Sequence, residues 1–257
     1  KDFFSTSRQN DQTTMAMGEV LNQLGIKHLY IMAPNYAAGK SMVAGVTRTF
    51  KGKIVGKDMT KFPAQLDFSA ELAKIRSVNP DAVFVFYPGK HGMQFFKQYS
   101  QAGLKDKVPL YSAFTVDSLS LPRLKDLAAG SLMTQFWAPD LPTPITKIFV
   151  QDYRKKYGRY PTFYAAQSYD TIMLIDSAVR AVNGNLSDKD GMRTAMRRAA
   201  FPSVRGSFKY GNNHFPIQNF YLRKVIKDSD GNYTTRIVKT VYTNHQDPYA
   251  KDCKMSW

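Results

Sequence analysis

The sequence predicts an α/β fold whose central sheet is parallel and covered by helices on both faces. Three short apolar runs, residues 28–33, 81–86 and 109–113, alternate with helical stretches, and strands apolar throughout need burial on both sides. Each run passes through an aromatic or glycine-bearing tip directly into a helix: Pro34-Asn35-Tyr36, then Tyr87-Pro88-Gly89-Lys90-His91-Gly92, then Phe114-Thr115-Val116-Asp117. A chain of 257 residues, 43% apolar and 13% aromatic, can fill such a core as one large or two ordinary domains. Ligands of open α/β sheets collect where strands end and helices begin, so the tips are the candidate functional regions.

In order along the chain, residues 12–24 read as a helix that stops at Gly25, followed by the first strand at 28–33. A helix over 39–50 and a strand over 53–57 come next. Residues 67–75 carry apolar side chains at helical spacing and close at Asn79-Pro80, because the residue before proline is pushed out of the helical region. The strand at 81–86 leads to a helix over 93–102 capped by Gly103, the strand at 109–113, a short helix at 121–128 and a strand at 131–136. The proline-rich stretch 138–144 reads as a linker. Three helical stretches follow, 145–157, 163–182 and 188–199, with no strand between them. Their apolar faces need a surface, supplied either by the first sheet or by a second sheet whose strands lie outside this chain. The last runs, 206–210, 220–227 and 236–242, alternate at period two, and Asp228-Ser229-Asp230-Gly231-Asn232 reads as a hairpin turn.

The net charge of +16 raises nucleic acid as a partner, but the 36 Lys and Arg are dispersed. Their densest groups, Arg154-Lys155-Lys156 and Arg197-Arg198, fall in or beside helical patterns, so no nucleic acid is expected and the charge reads as a solvated surface. The single cysteine, Cys253, and four histidines without paired spacing make no metal cluster, and no metal or cofactor is expected. No apolar run approaches the ~18 residues of a membrane span. The chain opens on Lys1-Asp2-Phe3-Phe4 without a charged-then-apolar leader, as a mature or truncated product would.

Catalytic signatures are missing. Pro34-Asn35-Tyr36-Ala37-Ala38-Gly39-Lys40-Ser41 ends like a phosphate loop, but Pro34 replaces its first glycine and carries no N–H. No Gly-x-Ser-x-Gly elbow and no Gly-x-Gly-x-x-Gly occurs, and His91 reads as a surface-loop histidine. The tips offer rings and neutral hydrogen-bonding groups instead: Tyr36, Tyr87, Phe114 and Thr115, joined by Phe163, Tyr164 and Gln167 from a helical stretch. Such a set suits holding a small organic molecule rather than transforming it, so no enzyme is expected.

The segments Phe3-Phe4-Ser5-Thr6-Ser7-Arg8-Gln9-Asn10-Asp11-Gln12, Gln65-Leu66-Asp67-Phe68-Ser69-Ala70-Glu71-Leu72, Pro109-Leu110-Tyr111-Ser112-Ala113-Phe114 and Tyr164-Ala165-Ala166-Gln167-Ser168-Tyr169-Asp170 carry a family resemblance. With Val204-Arg205-Gly206-Ser207-Phe208 and His214-Phe215-Pro216-Ile217-Gln218, they make the chain resemble the leucine/isoleucine/valine-binding family of type I periplasmic solute-binding proteins, the receptors of ABC importers. The resemblance implies two Rossmann-like lobes joined by three crossovers, the second lobe complete and the first partial. Residues 1–136 would form the second lobe, 137–203 a helical part of the incomplete first lobe, and 204–257 return strands to the second.

It also implies an exported, periplasmic receptor that closes on an amino acid or an organic, aromatic acid and delivers it to the transmembrane subunits of an ABC permease. A ligand-sensing domain of a regulatory protein is the alternative. By position, the resemblance places Tyr36, Tyr87 and Tyr164 at the ligand; with Lys90, Phe114, Thr115 and Gln167 they make the expected ligand-binding set, Lys90 facing a carboxylate. Amino-acid binders of the family place a carboxylate where this chain has Phe114, so the ligand would not be a simple branched-chain amino acid unless Asp117 supplies the counter-charge. Relatives with a cysteine just upstream of the Phe3-Phe4 position imply a disulfide partner for Cys253.

Overall fold

The computed structural model describes residues 2–255, which form two compact units. The first to be considered comprises residues 10–135 and 220–241. It contains α1 (Gln12–Gln23), β1 (His28–Pro34), α2 (Ala37–Thr49), β2 (Lys53–Thr60), α3 (Ser69–Val78), β3 (Ala82–Val85), α4 (Lys90–Gln101), β4 (Leu110–Ala113), α5 (Leu121–Leu124) and β5 (Leu132–Gln135). Strands β1 to β5 are parallel in the order β2-β1-β3-β4-β5. The order reverses between β1 and β3, which makes that gap the switch point of the sheet.

The strands are short because they are central. All of β3 is buried, and its side chains alternate between the two faces. Val83, Val85 and Tyr87 pack with Phe68, Leu72, Phe95 and Tyr99 from α3 and α4. Edge strand β2 is different: Lys53 and Lys57 stand exposed along it, which discourages a further strand from pairing. On the other face α1 and α2 meet at a glycine, where a Cβ on Gly18 would lie 2.8 Å from the Val46 carbonyl oxygen. A glycine there lets the two backbones touch.

The second unit comprises residues up to 9, 136–219 and from 242 onward. It holds α6 (Pro144–Tyr157), α7 (Phe163–Ala181), α8 (Lys189–Arg198) and the two-residue β6 (Lys209–Tyr210). Two long strands, β7 (Pro216–Lys227) and β8 (Tyr233–His245), belong partly to each unit. The start of β7 pairs with β6, its later part runs antiparallel to β5, and β8 pairs with β7. Each of these three α-helices starts on a side-chain cap: Thr143, Thr162 and Asp188 accept from the backbone N–H of Thr146, Ala165 and Gly191. Helix α7 nonetheless leaves apolar side chains uncovered, with Ile172 65% and Ile175 42% exposed. This is the helical block for which the sequence supplies no local sheet.

Several boundaries differ from those expected. Strand β7 begins four residues earlier than its alternating core, at Pro216, and β8 extends three residues on either side of the expected run. Helix α4 opens at Lys90, so Lys90 and His91 belong to its first turn and not to a loop. The units are also drawn differently from the expected 1–136, 137–203 and 204–257. Segments 2–9, 204–219 and 242–255 cluster with the helical block.

Candidate ligand-binding site

At the carboxyl ends of β1 to β4, four aromatic side chains stand in a row. Phe62 stacks on Tyr36 with ring centres 4.7 Å apart and planes within 15°. Tyr36 lies 6.4 Å from Phe86, and Phe86 meets Phe114 edge to face at 6.3 Å. Tyr36 and Phe86 follow β1 and β3, so the middle of the row sits at the switch point of the sheet. Such ring pairs contribute about 0.5–1.5 kcal/mol each beyond area burial, so the row is a preformed wall rather than four independent side chains.

Each ring is placed by local structure. Strand β2 runs on to Thr60, three residues past the expected end, and thereby carries Phe62 to the tips. Asn35 N–H donates to the Thr60 carbonyl at 2.7 Å and ties the two loops together. His91 is 4% exposed and its Nε2 is 2.9 Å from the Pro63 carbonyl oxygen, with its ring 4.9 Å from Phe62. The surface-loop reading of His91 is therefore corrected: it is packed beneath the β2–α3 loop. Phe114 holds φ at +56°, which turns the chain sharply out of β4.

Of the residues expected at the tips, Tyr36 and Phe114 belong to this wall and Lys90 is exposed at the start of α4, whereas Tyr87 turns into the core. Phe114 and Phe86 are themselves only 6% and 4% exposed, so the accessible part of the wall is Phe62 and Tyr36. The Tyr87 ring is fully buried between Phe68 and Phe95, its hydroxyl is 3.0 Å from Thr60 Oγ1, and burial pushes its phenol well above the usual range. The reason is strand parity: Val83, Val85 and Tyr87 share one face, which hands the tip to Phe86. Thr115 is also buried. Its hydroxyl accepts from Tyr87 N–H at 3.0 Å and donates to the Ala113 carbonyl at 3.1 Å, holding the β3 and β4 tips together. Asp117 is engaged elsewhere, its Oδ1 accepting from Leu119 and Ser120 N–H at the start of α5.

Two helices open beside the wall. Helix α2 starts on Tyr36 and α4 on Gly89, and neither has a side-chain cap or an acidic residue in its first turn. Gly39 packs against the Pro34 carbonyl, where a Cβ would collide, so the loop resembling a phosphate site is filled by its own backbone.

Tyr164 and Gln167 lie in the other unit, on α7. Tyr164 is 47% exposed and packs on Phe163 at 4.0 Å. Gln167 Oε1 accepts from Ser7 Oγ at 3.1 Å, and Ser7 Oγ accepts from Arg8 Nη1 at 2.9 Å. The Arg8 guanidinium lies between the Phe136 and Phe163 rings, 5.3 and 5.8 Å from their centres, and burial pushes its pKa down to about 10. Sequence reasoning passed over Phe62, Phe86 and Arg8. Only Phe86 left a signal, as the alternate position to Tyr87 on one strand. Among the described residues no group of three or more His, Cys, Asp or Glu side chains could hold a metal, and no helix is long and apolar enough to cross a membrane.

A parallel sheet with aromatic tips at its switch point defines a binding fold, and comparison with known proteins gives it a family. The model of the periplasmic binding protein family matches residues 1–232, so the chain belongs to that family. It has the type I periplasmic-binding-protein fold, with one α/β lobe whole and the other represented in part. It is 28% identical to Leu/Ile/Val-binding protein homolog 6 of Brucella melitensis over 96% of this chain, and spans about 65% of that relative's length. Among solved structures, it is similar to a solute-binding protein of an ABC transporter from Rhodopseudomonas palustris in complex with benzoate. That match has 31% identity and a TM-score of 0.88, covering 98% of this chain and 68% of the other. A second R. palustris solute-binding protein, in complex with p-hydroxybenzoic acid, matches at 27% identity and TM-score 0.84, over 94% of this chain and 67% of its own.

Proposed function

We propose that this chain is part of an exported solute-binding protein of an ABC transporter that captures a benzoate-type aromatic carboxylate for import. The observation that carries the reading is the row Phe62, Tyr36, Phe86 and Phe114, a wall of rings beside which Asp117, the acidic residue of the third tip, is occupied by Leu119 and Ser120 N–H in the turn before α5. An ammonium group set against Phe114 would be desolvated without a counter-charge, which is costly. A carboxylate meets the opposite situation. The open N-termini of α2 and α4 carry positive partial charge, and exposed Lys90 adds a full one. An aromatic ring stacked on the wall with its carboxylate toward those termini satisfies both features. The likeness to benzoate- and hydroxybenzoate-bound proteins supports the same chemistry.

Amino-acid capture is the second reading, favoured by the likeness to Leu/Ile/Val-binding protein homologues. Nothing in the arrangement of rings calls for bond-making chemistry, so the proposed role is binding without turnover, and the transmembrane subunits of the permease are the proposed partners. The test is titration of the chain with benzoate and, separately, with leucine, followed by amide chemical shifts. Shifts at Phe86, Gly89 and Phe114 with benzoate are expected. Saturable shifts there with leucine and none with benzoate would replace this reading with the second.

A further inference from the structure

In the unit that holds α6 to α8, one buried guanidinium touches three of the four segments that run on into the other unit. Arg205 is 9% exposed, and its Nε lies 3.0 Å from Asp170 Oδ2. Its Nη2 donates to the Thr6 carbonyl, and its Nη1 donates to the Ser7 carbonyl at 3.3 Å and to Gln218 Oε1 at 2.8 Å. Its Cζ lies 4.9 Å from the centre of the Phe136 ring. Gln218 Nε2 also donates to the Ser7 carbonyl at 2.9 Å, so the first and third of these segments are tied directly as well. All four bound residues lie within four positions of the points where the chain passes between units.

The anchor is itself fixed. Asp170 is fully buried on α7, and besides Arg205 it accepts from Ser203 Oγ at 2.8 Å and Val204 N–H at 2.9 Å. Burial pushes the Asp170 carboxyl up and the Arg205 guanidinium down, so each ion is kept charged by the other. The same face of α7 grips the first segment a second time, with Thr171 Oγ1 2.6 Å from Thr6 Oγ1 and Gln167 Oε1 bonded to Ser7. A fork of five donors is the side chain suited to gathering several acceptors at one point. A pair that served packing alone would not collect its contacts at the exits.

We propose that Arg205, held by Asp170, is a clasp that fixes three linking segments to one another at their root, so that bending between the units is confined to residues beyond it. Hinges are a few residues at element ends that absorb the backbone change, and a common root makes the segments bend together. Arg205 is on this account a positioning residue.

Hydrogen exchange of the whole chain tests it, with the double variant Arg205→Met/Asp170→Asn, which leaves no buried charge unpaired, and Gln218→Leu. The double variant is expected to speed amide exchange about tenfold or more at residues 6–9, 136–137 and 218–220, while amides of β3 and of α6 to α8 keep their protection. Gln218→Leu leaves the Arg205–Asp170 pair in place, and is expected to act in the same direction on the first and third segments only. The proposal is overturned if the linking segments exchange as in the unsubstituted chain. It is equally overturned if α6 to α8 lose protection as much as the segments do, which is what mere loss of stability produces. Should the double variant fail to fold, Gln218→Leu decides by the same criteria.

Discussion

The helices of the two units start in opposite ways. In one, α6, α7 and α8 each begin on a Thr or Asp whose side chain closes the first turn. In the other, α2 and α4 begin on Tyr36 and Gly89 with nothing closing theirs. A cap contributes about 1 kcal/mol, so a unit whose five α-helices all start without one gives up stability that the capped unit keeps. None of α1 to α5 carries a side-chain cap, and α2 and α4 are the two of them that open at the switch point, beside the aromatic wall. The chain therefore places its polar groups inward, on a buried ionic network, in one unit, and leaves the helix starts at the tips without side-chain caps in the other.

The largest effect that would break this comparison concerns the network. Asp170→Ala should destabilise the α6–α8 unit by about 3–5 kcal/mol, because it strands a buried Arg205. Urea unfolding followed by fluorescence of Trp137, which is buried in that unit and bonded to the Val204 carbonyl, reports it. An unchanged midpoint would mean that the network is not what holds the unit. At the tips, Phe62→Ala, at the exposed end of the row, should weaken benzoate binding about tenfold while leaving the same Trp137 transition in place. Equal binding by the variant would move the site away from the wall.

The units should also differ in pH response. Burial, aided by the Arg197 charge, holds the His214 imidazole below its ordinary 6.5, and the bond to the Phe3 carbonyl opposes this only in part. Burial acts in the same direction on His245. As the pH falls through 6.5, the unfolded chain takes up these protons before the folded one does. Stability present above that value is therefore lost below it, and the Trp137 urea midpoint should fall on acidification. His214→Gln should flatten the dependence.

The smallest effects separate a satisfied buried phenol from an orphaned one. Tyr87→Phe removes the hydroxyl paired with Thr60 and should cost about 1 kcal/mol in thermal unfolding of its unit. The hydroxyl of Tyr210 is buried without a hydrogen-bond partner among the described residues. Tyr210→Phe should therefore be neutral or stabilising by up to about 1 kcal/mol.

Much of the fold was legible because its signals are local. The apolar runs at 28–33, 81–86 and 109–113, the stops at Gly25 and Gly103, and the break before Pro80 each depend on a few neighbouring residues, and β1, β3, β4 and the helices between them formed where those residues indicated. The candidate site was legible only as a region. Tyr87 and Phe86 are adjacent, and which of them reaches the tip depends on how β3 is oriented in its sheet. Phe62 depends on β2 running on to Thr60, and Arg8 on the pairing of distant helices.

By itself, then, the sequence determined the element order, the parallel character of the sheet and the aromatic character of its tips, because apolar periodicity and turn chemistry act over a few residues. Only the tertiary structure decided which rings form the wall and that Arg205 joins residues some two hundred positions apart. Contacts of that range are fixed by packing and by the pairing of buried charges, and neither leaves a periodic trace along the chain.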